Sequence, residues 1–237
     1  MTRTITAAKN AGKPFKNWDQ TFCREADIAS PQFWKFPLES MCFIDYCSCP
    51  FYNIYDETKF GQITECIHNN LELTQIGTFS RRKNQLFSLE VVNRIKKDIP
   101  NVHLNIVGKE MDEGYLEKMN LCIKNNNLQT NVSILGTSTD RIELNRHTSY
   151  VLYPSTMESF GLILIESQSS GIHCFANKDI PNDADMGNAD FLELNPGLWS
   201  KSIIDYYKKH KNERKNPSNM DRFSKENFIN TIKKLYS

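Results

Sequence analysis

The sequence predicts an α/β protein built on a Rossmann-like, doubly wound parallel sheet, preceded by a short partial segment of different character. Three observations predict it. From Leu73 onward, apolar runs of strand length alternate with longer stretches of helical periodicity. Caps, prolines and glycines fall at the joins between them. Residues 1–70 show neither feature and are instead rich in aromatic rings.

Taken in order, LTQIGTF at Leu73–Phe79 reads as a buried strand ending in a turn. NQLFSLEVVNRIKKD follows, with Leu86, Leu89 and Val92 on one stripe and Phe87, Val91 and Ile95 beside it. That is a helix, closed by basic residues and Pro100. VHLNIVG is a second strand, GYLEKMNLCIKNN a helix and NVSILG a third strand. STDRIELNRH is a short helix with Ser138 or Thr139 expected as its cap. SYVLYP is a fourth strand, GLILIESQSSG a helix closed by Gly171, and IHCFA a fifth strand. Two helices end the chain: PGLWSKSIIDYYKK, with Trp199 expected to pack on the sheet, and SKENFINTIKKLY, capped by Ser224. Strands separated by helices pair in parallel through right-handed crossovers. No internal repeat is visible.

Composition narrows the function. A hydrophobic fraction of 39% and a charged fraction of 24% belong to a globular protein with a proper core. A net charge of +1 points to neither bulk nucleic-acid binding nor an acidic tail. No apolar run has the roughly 18–20 residues that cross a bilayer, and the N-terminus lacks a secretory pattern. Seven cysteines without a pairing pattern fit reduced thiols and a cytoplasmic location. Cys47-Ser48-Cys49, with Cys42 and His68 nearby, lacks zinc-site spacing, and Asp183-Ala-Asp185 reads as a chance match, so no metal is expected. His103 and His173 fall within strands and read as packed residues. The basic run Lys208 to Lys211, with Arg214 and Lys215, reads as a solvated helix end, compatible with peripheral contact at a membrane's inner face.

The chemistry lies at the strand ends, where open parallel sheets bind ligands. After the first strand comes Gly77-Thr78-Phe79-Ser80-Arg81-Arg82-Lys83-Asn84, a basic turn opening a helix. After the fourth comes Pro154-Ser155-Thr156-Met157-Glu158-Ser159-Phe160-Gly161, opening another. Helix starts offer free amides and a positive dipole end, which suit phosphate. Glu158 and Glu166 admit two readings. In one, Glu158 caps a helix and Glu166 is solvated. In the other, they bracket a ligand. A helix beginning near Gly161 puts Glu166 in its second turn, several ångströms along the axis at about 1.5 Å per residue. The two acids are then too far apart for one proton-transfer task, yet placed for hydroxyls at opposite ends of an extended ligand. A nucleotide sugar, with ribose, diphosphate and sugar in line, has that form.

Glu158-x7-Glu166 within PSTMESFGLILIESQSSG resembles the acidic motif of family 4 retaining glycosyltransferases of the GT-B fold. IGTFSRRKNQ resembles that family's first strand and phosphate loop, LNIVGK its second strand and VSILG its third. FLELNPGLWSKSII resembles a segment of its capsule and exopolysaccharide members. The likeness runs from about Ile67 to the C-terminus, the donor-binding half. It implies residues 1–70 as a remnant of the acceptor domain with the hinge at Ile67–Asn70, 71–215 as the nucleotide-sugar domain, and 216–237 as a helix returning toward the N-terminal segment. It implies that Lys83 neutralises the diphosphate and that backbone amides of Ser159, Phe160, Gly161 and Leu162 cradle it. Glu158 would hold the donor sugar and Glu166 the ribose, with Gly77 and Thr78 lining the donor. Thr78 stands where the family carries arginine, so Arg81 or Arg82 is expected to supply that cation. The implied activity is sugar transfer from a nucleotide diphosphate to a glycan or lipid-linked acceptor, without a metal cofactor. Two alternatives stay open: a catalytically silent sugar-nucleotide-binding remnant, and a subunit whose acceptor domain comes from a partner chain.

Overall fold

The computed structural model describes residues 70–236, with side chains through Lys233, together with Tyr55, Asp56, Phe60, Cys66 and Ile67. All lie in the compact unit Phe51–Ser237. The early aromatic-rich stretch, Cys42, Cys47, Cys49 and His68 lie outside the described residues.

The elements follow as β1 (Glu72–Ile76), α1 (Gln85–Ile95), β2 (His103–Val107), α2 (Tyr115–Asn125), β3 (Val132–Leu135) and α3 (Arg141–His147). Then come β4 (Tyr150–Tyr153), α4 (Leu162–Ser169), β5 (His173–Asn177), β6 (Ala189–Leu192), α5 (Pro196–His210) and α6 (Lys225–Tyr236). Every strand pairing is parallel, in the order β3-β2-β1-β4-β5-β6. The order reverses between β1 and β4, where Leu73 pairs with Tyr150 and Thr74 with Val151. That reversal opens a crevice beyond the carboxyl ends of these two strands. It is the feature of the fold that positions the site.

Helices cover both faces. Leu73, Leu104, Tyr150 and Phe175 on one face pack with Leu89 and Val92 of α1, Met119 of α2 and Trp199 of α5. Trp199 is fully buried; its indole donates to the Glu193 carbonyl at 2.8 Å and its ring meets Phe87 edge-on at 5.0 Å. The expected packing of α5 is therefore found, with Trp199 also joining α5 to α1. On the other face Val151, Tyr153 and Cys174 pack with Leu164 and Ile165 of α4 and with Phe223, which precedes α6. His103 bonds Ser133 Oγ at 2.9 Å, and His173 is buried against Asn188 at 3.1 Å, both as packed residues.

Two expectations need correction. The sequence reading has five strands, whereas β6 adds a sixth, pairing Cys174 with Ala189 through Asn177 with Leu192. Its four residues are only half-buried and include Asp190, so the apolar signal of an inner strand is missing. The cap of α3 is Asp140, not Ser138 or Thr139: its Oδ1 accepts from the amides of Ile142 at 2.8 Å and Glu143 at 3.2 Å. Thr139 Oγ1 instead donates to the Gly136 carbonyl at 2.7 Å, closing the preceding turn and starting the helix later. Elsewhere the signals hold. Gly171 adopts a left-handed φ of 76° just beyond α4, and Ser224 Oγ accepts from Asn227 N at 3.1 Å at the start of α6.

Candidate functional site

The two loops beyond β1 and β4 are bound to each other at the switch point. Thr156 N donates to the Arg82 carbonyl at 2.9 Å, and Arg82 Nη1 donates back to the Met157 carbonyl at 3.3 Å. Asn84 Nδ2 reaches the Pro154 carbonyl at 3.4 Å. From below, Gln75 Nε2 donates to the Lys83 carbonyl at 2.6 Å, and Asn177 Nδ2 to the Ser155 carbonyl at 2.9 Å. Residues at the ends of β1 and β5 thus hold both loops from within the sheet.

Across this junction Lys83 Nζ bonds Glu158 Oε1 directly. The side chains are 12% and 8% exposed, so the pair is nearly withdrawn from water. Arg82 Nη1 stands 3.7 Å from Glu158 Oε2 with its side chain 46% exposed. Lys83 Nζ also lies 5.3 Å from the Tyr153 ring centroid. Burial, with the Glu158 carboxylate beside it, pushes the Tyr153 phenol far up and keeps it neutral. Glu158 is therefore a carboxylate held among a lysine, an arginine and a phenol.

Gly77 allows this approach, because a Cβ there would press on the Lys83 stem at 3.2 Å. Gly108 makes room in turn. A Cβ at that position would sit 2.0 Å from the Gly77 carbonyl oxygen, so β1 and β2 end in a contact only glycine fits. On the β4 side α4 begins at Gly161, whose φ of 97° is left-handed and whose turn brings no side-chain cap to the first amides. Uncapped amides at a helix start are of the kind that suits an anion. α1 likewise starts without a side-chain cap, at Asn84 with a φ of 58°.

The remaining expected residues fall as follows. Thr78 lies in the turn with its carbonyl accepting from Gln85 Nε2 at 2.9 Å; its hydroxyl is buried without a partner among the described residues. Ser159 is exposed, Phe160 packs edge-on against Phe223 at 6.1 Å, and Leu162 opens α4 at 40% exposure. Of the two candidate cations, Arg82 turns to Glu158, while the Arg81 amide donates to Asp112 at 2.7 Å and its side chain is exposed. The structure brings Gly77, Arg82, Lys83 and Glu158 to one place, and α4 is entered at Gly161, a few residues on from Glu158. Glu166 stands apart from that group, one turn along α4, paired with Arg141 Nη2 at 2.6 Å.

Neither bland reading of the acids survives. Glu158 does not cap α4, since no side chain does, and Glu166 is 19% exposed in an ion pair rather than solvated. Arg141, Tyr153 and Gly108 are missed by the sequence reading. Among the described residues no group of three metal-ligating side chains gathers, and no helix is long and apolar enough to cross a membrane.

A parallel sheet with this strand order, reversing at a crevice between β1 and β4, defines a Rossmann-like domain. The family model of glycosyl transferases group 1 matches residues 58–215, and the chain belongs to that family. It is 26% identical over 189 residues to the capsular polysaccharide biosynthesis glycosyltransferase CapH of Staphylococcus aureus, covering 71% of this chain and 52% of CapH. It is 27% identical over 139 residues to the glycosyltransferase EpsF of Bacillus subtilis, covering 57% of this chain and 35% of EpsF. The chain thus spans about half or less of the length of these curated relatives.

Solved structures share the fold at low identity. The pneumococcal O-GlcNAc transferase GtfA with UDP and GlcNAc matches at TM-score 0.61 and 17% identity, over 73% of this chain and 37% of GtfA. HepE of Anabaena with UDP matches at 0.60 and 18%, over 71% and 48%. The C-terminal domain of the group 1 glycosyl transferase LpcC of Francisella tularensis matches at 0.53 and 15%, over 79% of this chain and 96% of that domain.

Proposed function

We propose that this chain carries the donor-binding half of a retaining, family 4 glycosyltransferase. It moves a sugar from a nucleotide diphosphate to a glycan or lipid-linked acceptor in surface polysaccharide biosynthesis. One observation carries the reading: Lys83 and Glu158 meet across the switch point beside the uncapped start of α4. Breaking a sugar–phosphate bond builds negative charge on the departing diphosphate, and fixed donors at that position lower the barrier. Lys83, with Arg82 behind it, supplies the cation, and the amides around Phe160, Gly161 and Leu162 supply the cradle. The reading calls for no metal cofactor. Glu158 then faces the donor sugar and Glu166 the ribose. The acceptor half is supplied from outside the described residues, in this protein or by a partner chain, at the cytoplasmic face of a membrane. The names of CapH and EpsF, and the UDP held by HepE, are in keeping with this.

Calorimetric titration with UDP, GDP and their sugars tests it. Binding in the micromolar range is expected, weakened about 10- to 100-fold by Lys83→Ala through loss of a charge-assisted contact. No nucleotide bound at millimolar concentration sinks the proposal. Thr78, where the family carries arginine, favours a second reading: nucleotide binding without donor hydrolysis or transfer across an acceptor panel would mark a silent sugar-nucleotide binder.

A further inference from the structure

Helices α3 and α4 are tied to each other at two levels, one turn apart. At the upper level Arg141 Nη2 donates to Glu166 Oε2 at 2.6 Å. Four residues further along the chain in each case, Asn145 Nδ2 of α3 donates to Oγ of Ser170, the residue that ends α4, at 3.2 Å. The lower tie is buried, and Ser170 Oγ also stands 3.1 Å from the carbonyls of Glu166 and Phe60. That level fixes the register of the two helices. The upper level is different, because its groups reach solvent: Arg141 is 28% and Glu166 19% exposed.

Arg141 is itself braced. Asp140 caps α3 and pins the backbone beside it, and the guanidinium lies 5.4 Å from the Phe60 ring centroid. Its grip on Glu166 is one-sided. Oε2 is held, whereas Oε1 has no partner among the described residues. An unrestrained carboxylate presents either oxygen in many directions. One clamped through a single oxygen presents the other in a fixed direction, at no ordering cost when a ligand arrives.

We propose that Arg141 is a positioning residue that sets the preference of this site for ribonucleotides over 2′-deoxyribonucleotides. It clamps Oε2 of Glu166 so that Oε1 accepts from the ribose 2′-hydroxyl. The inference rests on the donor-site reading above and adds to it a residue and a discrimination. A ligand lacking that hydroxyl leaves a part-buried carboxylate oxygen without a partner, the condition under which polar sites reject an analogue. The pair serves a second purpose: with Lys83 on Glu158 and Arg141 on Glu166, each acid carries its own cation, so neither repels an arriving diphosphate.

The test is calorimetric titration of the full chain with UDP, GDP and ADP, each against its 2′-deoxy counterpart. The wild-type chain is expected to prefer the ribo form by about tenfold or more, a hydrogen bond to a charged group. In Arg141→Gln the preference falls below about threefold while the diphosphate still binds, and Arg141→Lys lies between. A purely structural arginine would lower thermal stability and both affinities together, leaving the ratio unchanged; that result overturns the proposal. Should Arg141→Gln not fold, an undiminished ratio in Arg141→Lys overturns it equally. A wild-type chain that binds the diphosphates without ribo preference overturns this inference alone. A chain that binds none of them at millimolar concentration overturns the donor-site reading, and this inference with it.

Discussion

Replacing Lys83 by methionine separates the two things the Lys83–Glu158 pair does. Glu158 is 8% exposed, so losing Lys83 leaves a nearly buried carboxylate without its main partner. Breaking a buried pair by removing one member costs about 3–5 kcal/mol. Arg82, 3.7 Å away but 46% exposed, offsets about 1 kcal/mol of that. A net loss of about 2–4 kcal/mol is expected, which lowers Tm by roughly 4–16 °C for a domain of this size. Adding Glu158→Gln removes the orphaned charge, so the double variant should return to within about 1 kcal/mol of the parent. Nucleotide binding should not return with it, because the diphosphate's cation is still missing. Glu158→Gln alone should bind UDP at least as well as the parent, since Lys83 is released from its carboxylate, while losing affinity for the sugar of the full donor. Urea melts and calorimetric titrations of the three variants read both quantities. Additive stability losses in the double variant, or UDP affinity restored together with stability, would refute the reasoning.

Gly108→Ala should destabilise by about 1–3 kcal/mol, since its Cβ would fall 2.0 Å from the Gly77 carbonyl oxygen and a backbone has to move. The displaced segment is the loop after β1 that carries Lys83, so on the proposed reading UDP affinity should drop as well; a melt and titration unchanged from the parent would contradict the contact. The pH dependence is set on the far side of the sheet, where the His173 imidazole beside Asp190 holds that carboxyl below the ordinary aspartate value. A depressed folded pKa contributes stability above about pH 4 that is lost as pH falls through the folded value. Asp190→Asn should therefore lower the urea midpoint slightly near neutrality, where the ionised carboxylate contributes, and flatten its fall in the acid range until parent and variant converge. The effect is small because Asp190 is half-exposed; an equal slope in parent and variant would remove the assigned cause.

What one sequence reveals about this site follows from how each contact is specified. Gly77, Lys83, Glu158 and Gly161 could be placed because strand–helix alternation fixes which loops leave the carboxyl ends of the sheet, and the fold then brings those loops together. Glu166 could be assigned to the second turn of a helix by counting. Its partner could not, because Arg141 sits 25 positions earlier on a different helix, and the pairing depends on how two neighbouring crossovers pack. A constant offset was nevertheless present. Asn145 and Ser170 repeat the 25-residue separation one turn on, which is what adjacent parallel helices in register produce. The missing strand has the opposite cause: β6 lies at the edge, where half-buried positions admit Asp190 and no apolar run is required. Gly108 is a third kind of case. Nothing in LNIVGK distinguishes a glycine that ends a strand from one that another backbone must touch, and only the 2.0 Å that would separate a Cβ at Gly108 from the Gly77 oxygen shows that the loop after β1 is shaped from the neighbouring strand as well as its own. The chemistry-bearing residues are thus legible where topology alone delivers them to one edge of the sheet. They are hidden where a second element, packed at a distance no local pattern records, decides which charge is held and which oxygen is left free.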